Sequence, residues 1–176
     1  MRKMKASMGI LVTALVGVGT LAGLVWAAPP APTSALIGRA DFGPFKVNRH
    51  GSDDLGRPWE VVVEAMRGLT IATQTITFAP GAQSTWHTHP GPVFISVKEG
   101  TMTFYEEDCT ATVRTAGEGF VDVGSHPHLA RNESNATAIN VVTYFAPPNT
   151  TVLRQCRRPR CRPWRYSASQ CGSTSR

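Results

Sequence analysis

Between residues 59 and 145 the chain alternates short apolar runs with turn residues. Thr, Val and Ile recur in those runs, as a pleated, half-buried surface favours. The pattern predicts strands at 59–65, 70–78, 93–98, 101–105, 112–115, 119–123, 128–132 and 137–145. Ala79-Pro80-Gly81, Pro90-Gly91-Pro92, Glu99-Gly100 and Ala116-Gly117-Glu118-Gly119 punctuate them as turns. Val93, Ile95 and Val97 fall on one face by period-two alternation, with Phe94 and Ser96 opposite. Many short strands at even spacing, and no segment that demands a long helix, indicate an all-β sandwich or barrel.

The two ends read differently. Arg2, Lys3 and Lys5 precede an almost wholly apolar stretch from Gly9 to Ala28, and no further charge appears until Arg39. This is the pattern of a signal peptide, with Val25-Trp26-Ala27 before a cleavage point, or of an uncleaved membrane anchor. Either reading exports the remainder, so a secreted or extracytoplasmic location is expected. At the other end, residues 154–176 carry seven arginines and no acid, with Trp164 and Tyr166 among them. That tail is open to three readings: a solvated arm, a disulfide-tied arm, or a binder of anionic polymers or membrane surfaces. The expected division is 1–28 signal or anchor, 29–58 linker and N-terminal arm, 59–147 barrel, and 148–176 an Arg/Cys-rich, poorly ordered tail.

Charge changes the picture only once it is divided. The chain of 176 residues has net charge +6, but residues 29–153 hold eight basic and twelve acidic residues. The basicity belongs to the ends, and a specific nucleic-acid-binding core is excluded. Cys109, Cys156, Cys161 and Cys171 allow three complete disulfide pairings in an oxidising compartment.

Of five histidines, four are concentrated as His87/His89 and His126/His128. Residues i and i+2 of a strand share a face, so a His-x-His pair can present two imidazoles to one ion. Imidazole suits zinc, copper, iron and nickel. Pro127 marks a turn or strand start inside the second pair.

Around these histidines the chain reads Gly81-x5-His87-x-His89-x3-Val93-x6-Gly100, then Gly117-Glu118-x9-His128-x3-Asn132. The two blocks resemble the signature motifs of the cupin family. The resemblance implies a single-domain double-stranded β-helix, or jelly-roll barrel. It further implies one divalent metal ion (iron, manganese, zinc, copper or nickel) held by His87, His89 and His128. Gly81, Gly100, Gly117 and Asn132 would be the structural positions of the motifs. The family's glutamate ligand is Val93 here, its Asp is Glu118, and its Pro and Gly are Val123 and Ser125. Three imidazoles and an open position still suffice to hold a metal. The family also includes thiol dioxygenases whose iron is held by three histidines. His126 is a further candidate, as a fourth ligand or a proton shuttle. Trp86, Val93, Phe94, Phe104 and Phe120 are candidates for an apolar pocket wall. The functional expectation is a metal-dependent oxygenase or isomerase acting on a small organic molecule. The alternative is a non-catalytic module that binds or senses a small ligand at the cell surface. A homodimer is implied by the resemblance alone.

Overall fold

The computed structural model of the chain describes residues 28–156. The expected signal or anchor segment up to residue 27, Cys161, Cys171 and the arginine-rich tail beyond 156 lie outside the described residues. Within them, no helix is long and apolar enough to cross a membrane.

Twelve strands are formed among the described residues: β1 Thr33–Phe42, β2 Phe45–Ser52, β3 Pro58–Ala65, β4 Leu69–Phe78, β5 His87–Thr88, β6 Val93–Glu99, β7 Thr101–Glu106, β8 Ala111–Thr115, β9 Gly119–Asp122, β10 His128–Arg131, β11 Ala138–Ala146 and β12 Arg154–Gln155. One five-stranded sheet has the order β1-β4-β11-β6-β9, a second has the order β12-β5-β10-β7-β8, and β2 and β3 form a separate hairpin. Every pairing is antiparallel. Consecutive strands repeatedly fall in opposite sheets, which is the winding of a double-stranded β-helix.

Alternation builds the core. β11 buries every second residue, Ala138, Asn140, Val142, Tyr144 and Ala146. β6 turns Val93, Ile95 and Val97 inward. They meet Met102 and Phe104 of β7 together with Ala72 and Phe78 of β4 in one apolar cluster.

The turn between β6 and β7 rests on Gly100, whose φ of 75° is the left-handed conformation that side chains resist. A Cβ there would also stand 2.7 Å from the Thr137 carbonyl oxygen. Gly81 and Gly117 likewise have positive φ, at 75° and 91°. Asn132 is fully buried and ties three segments together. Its Nδ2 donates to the carbonyls of Phe78 (2.9 Å), Ala79 (3.2 Å) and Ala136 (2.7 Å), while its Oδ1 accepts from the Ser134 amide.

The eight strands expected from the pattern are all present, with ends shifted by a residue or so. The structure adds four more. Residues 33–52, expected within a linker and arm, form β1 and β2, and β1 pairs along β4. A register shift between Leu36 and Gly38 interrupts the alternation of β1 and hides its strand signal. β5 and β12 are two residues each, too short to carry a period.

Candidate metal centre

β5 and β10 lie side by side in the second sheet, with His87 directly opposite His128. His89 follows two positions after His87, on the same face. The three imidazoles therefore meet although 41 positions separate the outer two. Their ring centroids are 4.3 Å (His87–His128), 4.9 Å (His87–His89) and 5.0 Å (His89–His128) apart. One nitrogen from each lies within 4.8 Å of the others, and all three residues are buried.

The outward nitrogens are already engaged. His87 Nδ1 is 2.7 Å from the Thr85 carbonyl, and His89 Nδ1 is 2.6 Å from the Val152 carbonyl. His128 Nδ1 is 3.1 Å from the His126 carbonyl and 3.1 Å from Asp122 Oδ2. A carbonyl oxygen only accepts, so each Nδ1 carries a proton, and in the neutral ring Nε2 keeps its lone pair. Two of these contacts span two positions of sequence, whereas the His89 contact spans 63.

Burial also keeps His87 and His89 neutral. Desolvation lowers the His87 pKa from 6.5 to about 3, and the neighbouring His128 and His89 push the same way. Desolvation likewise lowers His89 to about 4, against the Val152 hydrogen bond, which favours the protonated ring. Three buried, converging imidazoles with their second nitrogens fixed by outer acceptors are a donor set that suits a first-row divalent ion. The residues present fit such an ion.

Val93, at the position of the family glutamate, is completely buried in the apolar cluster. It stands in register with Tyr144 and Asp122 on the strands beside it. Tyr144 places its ring 5.2 Å from His89 and receives a hydrogen bond of 2.7 Å from Gln74 Nε2 on its hydroxyl. His126 is exposed, its Nδ1 3.3 Å from Glu107 Oε1, and it stands apart from the three-histidine group. Its backbone carbonyl, rather than its ring, faces His128.

A cavity of about 140 Å³ opens beside His128. Phe104 and Phe120 form one wall, with ring centroids 4.6 Å apart, and Glu106, Asp122 and His126 supply polar groups. Burial raises the Glu106 carboxyl above its ordinary range; His128 opposes the shift and Asp122 adds to it. Trp86 is half-buried one position before His87, outside this lining. Phe94 is 48% exposed on the outer face of β6, where it packs against Phe145.

Residues 74–144 match the family model described as the cupin domain. Those residues form a cupin domain. The match begins inside β4 and ends inside β11, so β1, the β2–β3 hairpin and β12 are additions around the cupin motif pair. Among solved structures, a cupin superfamily protein from Desulfitobacterium hafniense is similar at 10% identity, covering 72% of this chain and 88% of that one, with a TM-score of 0.47. A protein with a double-stranded beta-helix domain from Klebsiella pneumoniae is similar at 18% identity, covering 61% and 79%, with a TM-score of 0.41. A DMSP lyase from Ruegeria pomeroyi is similar at 18% identity, covering 47% and 41%, with a TM-score of 0.42. No curated protein matches the chain.

Sequence reasoning did not reach Asp122, Glu106, Tyr144 or Val152. Asp122 carried a faint signal, as a carboxylate closing an apolar strand six positions before His128. Val152 carried none, because its contribution to the cupin site is a backbone oxygen.

Proposed function

We propose that this cupin holds one divalent transition metal through His87, His89 and His128 and acts on a small organic molecule admitted through the cavity beside His128. The observation that carries the reading is the set of three buried imidazoles whose Nδ1 atoms all face oxygen acceptors elsewhere. When bound, the ion supplies Lewis acidity or, if redox-active, electron transfer. Replacement of the family glutamate by Val93 leaves an all-nitrogen donor set and an apolar neighbour.

The cavity sets the scale of the ligand. At about 140 Å³ it is smaller than the roughly 300–1,000 Å³ of drug-sized pockets, so the ligand has few heavy atoms. Phe104 and Phe120 offer it an apolar wall. Glu106 and Asp122 sit where a proton can be accepted or delivered near His128. Oxygenation and isomerisation both suit this arrangement. The N-terminal pattern supports action outside the cytoplasm, where disulfides involving the chain's cysteines would persist.

The test is elemental analysis of protein purified without chelator or added metal, beside His87→Ala and His128→Ala. About one equivalent of metal in the parent, lost in both variants, is expected. Iron, copper, manganese or nickel directs the search to oxygen-consuming reactions, and zinc directs it to isomerisation or hydrolysis. Parent protein that binds no metal even after reconstitution overturns the reading in favour of a non-catalytic ligand-binding module.

A further inference from the structure

The chain does not end its structural work at the barrel. After β11 it turns through Pro147 and Pro148 and returns to the second sheet, where β12 adds to the free edge of β5. Arg154 stands opposite Thr88, and Gln155 stands opposite His87. The Cys156 amide donates to the Trp86 carbonyl at 2.8 Å. Antiparallel alternation then makes 154 and 88 the preceding hydrogen-bonded pair. Val152 is half-buried against the apolar cluster, and its carbonyl receives the His89 Nδ1 proton at 2.6 Å.

Resting on the metal reading above, we infer that residues 152–156 form a positioning strap for the metal centre, with the Val152 carbonyl holding His89 so that its Nε2 joins those of His87 and His128. The argument is one of degrees of freedom. His87 and His128 are oriented by carbonyls two positions earlier in the segments that lead into their own strands. His89 precedes Pro90, and its acceptor comes from the far end of the chain. Without the strap its Nδ1 loses this acceptor, and the edge of β5, which carries His87 and leads into His89, is unpaired. Val152 is a positioning residue through its backbone; it is not itself a ligand.

The test uses the full chain and Arg154→Pro, which removes the amide that pairs with Thr88 while leaving all three histidines in place. Val113→Pro, on β8 at the opposite edge of the same sheet, controls for the general effect of an edge proline. Zinc affinity is measured by competition with a chromogenic chelator, and imidazole tautomers are read by long-range 15N–1H spectra of the metal-free protein. Arg154→Pro is expected to weaken zinc binding about 10–100-fold, the usual effect of removing an outer partner of a ligand. Val113→Pro is expected to leave the affinity unchanged. In the unaltered metal-free protein His89 is expected as the Nδ1–H tautomer, and in Arg154→Pro as a mixture, with His87 and His128 unchanged. Equal zinc affinity in parent and Arg154→Pro overturns the strap while the metal reading stands. A parent His89 in the Nε2–H form overturns it even if the proline variant fails to fold. A parent that binds no zinc overturns the metal reading and the strap with it.

Discussion

β11 and β3 are alike in sequence and opposite in fate. Ala138–Ala146 contains Asn-Val-Val-Thr-Tyr, and Pro58–Ala65 contains Glu-Val-Val-Val-Glu. Both are good strand sequences, and both form strands. β11 lies between β4 and β6 in the middle of a sheet and buries every second residue. β3 pairs only with β2, and Trp59, Val61 and Val62 all stand exposed, with Trp59 54% accessible. Extended conformation is a local property, set by branched side chains and turn residues. Burial is a topological one, set by how many neighbours the strand acquires. An isolated two-stranded hairpin is marginal in water. The exposed Lys46–Glu64 pair at 3.0 Å adds little to it, under about 1 kcal/mol.

Truncation inside the barrel should be the strongest test of this contrast. Phe78 is almost fully buried, and Phe78→Ala should cost about 3–5 kcal/mol in urea unfolding. A loss below 1 kcal/mol would mean the apolar cluster is not the stabilising element.

Acidification should come close to that effect and also act on the barrel. His87 and His89 have pKa values near 3 and 4 when folded, against 6.5 ordinarily. Below pH 6.5 the unfolded chain therefore takes up protons that the folded chain refuses. Stability is fully present above pH 6.5 and is lost as pH falls towards the folded values. Between pH 6.5 and 5 the two sites together should remove about 3 kcal/mol from the metal-free protein, the slope of each rising towards about 1.4 kcal/mol per unit. His87→Ala should roughly halve the slope, and a pH-independent unfolding midpoint in the parent would contradict the buried neutral state.

Asn132→Ala should cost about 3 kcal/mol, because the carbonyls of Phe78, Ala79 and Ala136 lose their common, fully buried donor. Asn132→Asp should fail to rescue it, since a carboxylate presents acceptors to acceptors.

Metal should stabilise the barrel by about 2.7 kcal/mol at a hundredfold excess over its dissociation constant. His128→Ala should abolish that gain in thermal unfolding. At the small end, Trp59→Ala on the hairpin should change stability by no more than about 0.5 kcal/mol. A large loss there would show that the hairpin is covered in solution, and would dissolve the contrast with β11.

Legibility follows the same division. The interior strands could be read because they are long enough to show a period and are bounded by Gly and Pro. The His-x-His spacing placed two imidazoles on one face because that follows from the strand repeat itself. The alignment of His87 with His128 needed the winding of the barrel, which the motif resemblance supplied and periodicity alone did not. β1 was obscured by its bulge, and β12 by its length. The outer partners were least legible: Thr85, His126 and Val152 act through carbonyl oxygens, which every residue has, and only register selects them.

The 63 positions between His89 and Val152 also fix an order in time. A chain is made from its N-terminus, and its parts fold as they appear. His87 and His128 have their acceptors two positions away, in the segments just before their strands. His89 has to wait for residue 152. A nascent barrel that has just completed β11 thus owns all three histidines of the candidate centre, but not the acceptor of His89 Nδ1. Translation halted just short of residue 152 yields a product that keeps all three histidines yet lacks the carbonyl that faces one of them.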